Sequence, residues 1–278
     1  MAKLTKSEKI KVGVAIALIV LIIGCAFGVS ITPRGLSLFQ VNLGGWGDGD
    51  TWGGSWQTVG TWKESADGIS VIEAQADAAD IVLKRGAGEQ VVVHEQAMLR
   101  DGAKKPATTT DATVSDGTLT VREQGLGVIN GGSRRIVIEV PSALEGTLKT
   151  VGLSASAGDV VADGIAVGAV ALDSSAGDVS VRDVDADSLA ASSSAGDISA
   201  TFARQLPRAL SLAAGAGDIE FTAPRKSGFT LDLSQGVGDF DHDDVELGTE
   251  GGSLYRYGDG SAKVTLQTSV GDVELAVR

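Results

Sequence analysis

The chain has 278 residues, a formal charge of −13 and a hydrophobic content of 43%, of which aromatics make up only 4% of the chain. Residues 1–31 hold four Lys and one Glu, so the remaining residues carry −16. That balance excludes a nucleic-acid face, which would be basic, and disfavours adsorption to anionic lipid; the single Cys25 leaves no disulfide.

Residues 1–11 form a basic tail, with Lys3, Lys6, Lys9 and Lys11 against Glu8. Val12–Ile31 then runs uncharged for twenty residues, long enough for a transmembrane helix. The preceding Lys cluster predicts a signal-anchor in the cell membrane, single-pass, with the N-terminus cytoplasmic and the C-terminal domain extracytoplasmic. A cleaved signal peptide is one rival. Another is a lipoprotein anchored at Cys25, because Ile22-Ile23-Gly24-Cys25 resembles a bacterial lipobox.

Residues 32–61 read as a Gly/Trp-rich juxtamembrane linker, with Trp46, Trp52 and Trp56 inside it and Trp62 just beyond. The indoles are either a glycan-binding or membrane-interface patch or a covering for the first coil of the domain that follows; the second reading is preferred. From Trp62 the strand signals begin, and residues 62–278 read as one exported domain. Ala79-Asp80-Ile81 is a degenerate form of a phrase that returns later. Asp101–Asp111 reads as an exposed polar loop, Asp116-Gly117 as a hairpin turn, and Ile136, Ile138 and Val140 as the buried side of a strand ended by Pro141.

The phrase itself is Ser-Ala-Gly-Asp-Val at Ser156–Val160 and Ser175–Val179, with variants at Ser194–Ile198, Gly215–Ile219, Gly236–Phe240 and Ser269–Val273. Its turn pairs are Gly158-Asp159, Gly177-Asp178, Gly196-Asp197, Gly217-Asp218, Gly238-Asp239 and Gly271-Asp272, so the steps are 19, 19, 21, 21 and 33 residues. A period near twenty is too short for a βαβ unit and indicates stacked coils of short strands. The expected fold is therefore all-β: a single-chain β-solenoid of about 20-residue coils, preceded by one transmembrane helix. Glycine would supply positive φ in each turn, and Asp would hold its own turn through nearby N–H groups. The long final step predicts an insertion or hairpin in the last coil.

Stacked coils would align Asp159, Asp178, Asp197, Asp218 and Asp239 along one edge. Calcium is a weakly supported ligand for that row, since one carboxylate per coil is sparse for the ion; solvated turn residues are the simpler reading. His242 between Asp241 and Asp243 reads as an exposed loop residue, and His94 has no partner in view. Asp183, Asp185 and Asp187 alternate and should share a solvated face. No nucleophile, base and orienting group recur together, so no catalytic residue, no resident metal and no cofactor is expected.

The Gly-Asp-Val/Ile phrase at these steps, behind one apolar segment, resembles the bacterial "putative adhesin" family of β-strand repeats, the LiaG-like group of unknown function, over about Ile69–Val277. The resemblance implies a β-solenoid on the outer side of the membrane and carries over no catalytic residue. The expected function is a membrane-anchored, non-catalytic extracytoplasmic adhesin or cell-envelope interaction module. Its partners would be the membrane through one span, and a cell-wall or cell-surface ligand or another envelope protein, with no nucleic acid. The alternatives are an envelope-stress accessory protein acting through a membrane partner and, least favoured, a polysaccharide-active enzyme.

Overall fold

The computed structural model describes residues 54–124, 133–242 and 245–278, and Gly53–Arg278 form one compact unit. Among the described residues no helix is long and apolar enough to cross a membrane. The expected basic tail, the span Val12–Ile31, Cys25, Trp46 and Trp52 all lie outside the described residues.

The fold is all-β. Its first part runs β1 (Gly54–Ser65), β2 (Val71–Ala76), β3 (Asp80–Gly86), β4 (Gln90–Arg100), β5 (Thr110–Ser115), β6 (Thr118–Glu123) and β7 (Arg134–Pro141), then a single 3-10 turn at Ser142–Leu144. The regular repeats follow as β8 (Thr150–Ala155), β9 (Val160–Asp163), β10 (Ala166–Ser174), β11 (Val179–Arg182), β12 (Asp185–Ala195), β13 (Ile198–Thr201), β14 (Ala209–Ala216) and β15 (Ile219–Ala223). The chain ends with β16 (Phe229–Val237), β17 (Phe240–Asp241), the hairpin β18 (Gly248–Gly251) and β19 (Leu254–Tyr257), then β20 (Ala262–Val270) and β21 (Val273–Val277). Residues 54–61, expected in the linker, are already the first part of β1, paired antiparallel with β4.

Two sheets result, ordered β1-β4-β7-β3-β9-β11-β13-β15-β21-β17 and β18-β19-β16-β20-β14-β12-β10-β8-β2-β6-β5. Each coil contributes one strand to each sheet. The Gly-Asp turn joins the two strands along one edge, and a second connection, here called the arc, returns along the other. Strand alternation sends one set of side chains inward. Ile81, Val160, Val179, Ile198, Ile219 and Val273 lie in register across the first sheet. Ile72, Val151, Val170, Leu189, Leu210, Val264 and Leu231 do the same across the second. All are buried, and each such side chain contributes about 1.5–3 kcal/mol. Phe202, Phe221, Phe229 and Tyr257 form a line of ring contacts at 6.3, 5.8 and 5.3 Å toward the arc side.

The coils do not stack in chain order. The last coil, β20–β21, lies between β14–β15 and β16–β17, and the first, β2–β3, lies between β6–β7 and β8–β9. The 33-residue step is thus the excursion through β17 and the β18–β19 hairpin before the chain returns to fill an interior position. At the opposite end, the sheets finish in the antiparallel β1–β4 and β5–β6 pairs. Asp116 and Gly117 take φ values of 50° and 75° in the β5–β6 turn, as Asp-Gly predicts for a tight hairpin.

Candidate functional site

The Gly-Asp edge is a ladder. Asp80 Oδ1 accepts the N–H of Asp159 at 3.0 Å, Asp159 that of Asp178 at 2.9 Å, and Asp178 that of Asp197 at 2.8 Å. Asp197 accepts from Asp218 at 2.8 Å, Asp218 from Asp272 at 2.7 Å, and Asp272 from Asp239 at 2.8 Å. Each carboxylate therefore holds the turn of the neighbouring coil, whereas the sequence suggested that it held its own. Asp272 stands between Asp218 and Asp239, and the degenerate Asp80 is the first rung.

Glycine is required mainly for space. A Cβ at Gly158, Gly177, Gly196, Gly217, Gly238 or Gly271 would sit under 3.0 Å from the carbonyl oxygen of the adjoining coil. Gly158 and Gly177 have no positive φ, so the expectation of a left-handed turn fails there. Buried hydroxyls complete the edge: Ser174 donates to Gly158 O at 2.9 Å, Ser193 to Gly177 O at 2.9 Å and Thr268 to Gly217 O at 3.1 Å.

Burial pushes the Asp80 carboxyl up to about 6, with Asp159 adding to the rise and the Asp159 N–H and the Arg135 guanidinium opposing it. Burial also raises Asp178, flanked by Asp159 and Asp197. Arg135, lowered chiefly by burial, lies 4.2 Å from the Trp56 ring centroid. Of the candidate calcium rungs, Asp159, Asp178, Asp197 and Asp218 have Oδ1 committed to an amide, and among the described residues no three His, Cys, Asp or Glu side chains converge as a metal would need.

The other singled-out residues are dispersed. His94 Nδ1 lies 3.1 Å from Thr61 Oγ1. His242 is half-buried and packs on Phe240 at 4.8 Å, not exposed as expected. Asp183, Asp185 and Asp187 are exposed but engaged: Asp183 accepts the N–H of Ala203 at 2.8 Å, Asp185 accepts from Gln205 Nε2, and Asp187 pairs with Arg208 at 3.6 Å. Asp101–Asp111, expected as an exposed polar loop, is largely exposed, but it enters β5 at Thr110 and is pinned there. Buried Glu95 accepts the N–H groups of Thr109 and Thr110 at 3.0 and 2.9 Å and pairs with buried Arg134. Arg134 in turn donates to Ala107 O at 3.1 Å, while Lys105 donates to Thr58 O at 2.9 Å.

On the arc edge lies a recess of about 700 Å³. Its floor is the pair of shortest arcs, Gly164-Ile165 and Asp183-Val184, each a two-residue connection between strands. One wall is Arg85, which donates to Gly164 O at 3.1 Å and pairs with Glu145 at 2.7 Å. The opposite wall is Arg204 and Gln205, on the wider arc between β13 and β14. Asp163 also lines it, and neither Asp163 nor Arg204 has a hydrogen-bond or ion-pair partner among the described residues. This recess was missed from sequence. Its one signal was the change of step from 19 to 21 residues between Gly196 and Gly217, where the arc widens.

Residues 142–276 match the family model described as Toastrack DUF4097. That stretch, from the 3-10 turn through β21, is similar to the Toastrack family and holds the Gly-Asp phrases. No curated protein matches the chain. A solved structure called a putative cell adhesion protein, from Clostridium sporogenes, is 14% identical, covers 81% of this chain and 100% of its own, and aligns with a TM-score of 0.49. A putative adhesin from Bacteroides fragilis is 13% identical over 80% of this chain and 97% of its own, with a TM-score of 0.41. A putative lipid binding protein from Parabacteroides distasonis is 11% identical over 77% and 96%, with a TM-score of 0.32. Alignments this loose carry no weight for function.

Proposed function

We propose that the protein is a non-catalytic interaction module of adhesin type, held at the cell membrane by Val12–Ile31 and presenting its coil stack outside the cell to a cell-wall or cell-surface ligand. The observation that carries this reading is the Toastrack match across the whole regular stack. The stack supplies a recess open to solvent on the arc edge, while the carboxylates of the Gly-Asp edge are spent on holding neighbouring coils together. The apolar span and its basic flank support the anchored, extracytoplasmic placement.

The test is binding of the fluorescently labelled full chain, in mild detergent, to the producer's own cell-wall sacculi and to intact unrelated cells, with and without calcium. Saturable binding to either surface is expected, and calcium removal should leave it unchanged. If neither surface is bound, the adhesin reading is wrong.

A further inference from the structure

The charged lining of the recess on the arc edge is nearly balanced, with Lys84, Arg85 and Arg204 against Glu145, Asp163, Asp183 and Asp185. Carboxylates on the floor oppose an anion, and guanidinium groups on both walls oppose a cation. The ligand that suits such a lining is neutral and able both to donate and to accept.

The backbone narrows the class further. The arc amides are already used within the stack: Gly164 N–H donates to Arg182 O at 2.9 Å, Asp183 to Thr201 O at 3.0 Å, Asp185 to Ile165 O at 2.8 Å and Phe202 to Thr222 O at 3.0 Å. An extended peptide, which is usually recognised by adding a strand to an open edge, finds no ladder to join here. Recognition in the recess must come from side chains, and two of these, Asp163 and Arg204, have no partner among the described residues. Ile165, Val184 and Phe202 also line the recess but are core side chains only 3%, 2% and 1% exposed, so they seal its base and leave the contacts to the polar walls.

The recess is also elongated. Its lining comes from four consecutive coils, at Arg85, Asp163, Asp183 and Arg204, which at strand spacing is about 14 Å along the stack. A linear chain lying parallel to the stack axis would meet one set of polar groups per coil.

We infer that the recess between Arg85/Glu145 and Arg204/Gln205 binds a neutral polyhydroxylated chain, an oligosaccharide, with Asp163 accepting from its hydroxyls and Arg204 donating to them. This rests on the adhesin reading above and names the ligand class for it.

The test uses the full chain in detergent and saturation-transfer NMR with cellohexaose, maltohexaose and N-acetylchitohexaose, alongside hexalysine and a neutral Gly-Ser hexapeptide. At least one saccharide should bind saturably. The double variant Asp163→Ala/Arg204→Ala, which breaks no bond of the fold, should weaken it at least tenfold, and Ala203→Trp should abolish it by filling the recess, both with an unchanged unfolding midpoint. The proposal is overturned if no saccharide binds, if either peptide competes equally well, or if binding persists in both variants. Should the saccharides fail while sacculi or cells still bind the full chain, the adhesin reading stands and only the ligand class falls; should both fail, the two fall together.

Discussion

At the residue scale, the turn phrase is a set of distance constraints between coils. Gly177→Ala directs a Cβ at Gly158 O, a backbone atom that cannot swing aside. It should cost about 3 kcal/mol, the upper end for overpacking, as a lowered urea midpoint. Gly152, with nothing within 4 Å of its would-be Cβ, is the control: Gly152→Ala should leave stability unchanged or raise it by about 0.5 kcal/mol, and equal losses at both sites would refute the spacing argument. The hydroxyl row has one gap, because Ala214 stands in register with Ser193 and Thr268. Ala214→Ser should let Gly196 O accept a hydrogen bond and add about 0.5–1 kcal/mol, read from the same denaturation curves. The carboxylate ladder makes the pH dependence unusual. The folded-state value of Asp80, about 6, lies above its ordinary 3.8, so the native state binds the extra proton between those limits. The stabilisation from this group is complete below about pH 4 and is lost as pH rises to about 6, by roughly 3 kcal/mol. Asp80→Asn keeps the acceptor for Asp159 and should flatten that segment of a melting-temperature profile; a profile identical to wild type would show that Asp80 does not titrate there.

At the element scale, the ends of the stack are finished by different means from its middle. The β1–β4 end is closed by the segment 101–110, whose anchor is the buried Glu95–Arg134 pair. Glu95→Ala would leave Arg134 buried without its counter-ion, which costs about 3–5 kcal/mol. It would also free the amides of Thr109 and Thr110, so trypsin should cut after Lys104 in the folded variant and not in the parent. Resistance equal to that of the parent would mean that the Lys105–Thr58 and Arg134–Ala107 hydrogen bonds hold the segment without Glu95. None of this was legible beforehand, because a Glu in an alternating strand and an Arg 39 residues later give no sign that they meet. By contrast, the Asp116-Gly117 hairpin and the Ile136/Ile138/Val140 face were legible, because each depends on a local period or a local turn. The recess was hidden for the opposite reason: it is made by the difference in length between neighbouring arcs, which only stacking turns into a shape.

At the scale of the whole molecule, stacking order and chain order disagree at both ends, and repeat spacing alone could not reveal it. A periodic phrase shows that coils exist and that their turns align; it does not say which coil touches which. Asp239 precedes Asp272 in sequence, yet Asp272 is the rung that meets Asp218. The consequence is energetic. In a sequential solenoid, stability is close to a sum of units and nearest-neighbour interfaces, so removing a terminal coil subtracts one interface. Here β20 pairs with both β14 and β16, and β21 with both β15 and β17. Deleting residues 262–277 therefore removes two interfaces and leaves β16, β17 and the β18–β19 hairpin without a neighbour on the stack. Hydrogen exchange of the deletion variant should show loss of protection throughout β16–β19 as well as along β14 and β15, with β8–β13 retained. Retained protection in β16 would mean that the β16–β17 coil docks directly onto β14–β15 once the interior coil is gone, and that the intercalated order is a preference of the chain and not a requirement of the stack.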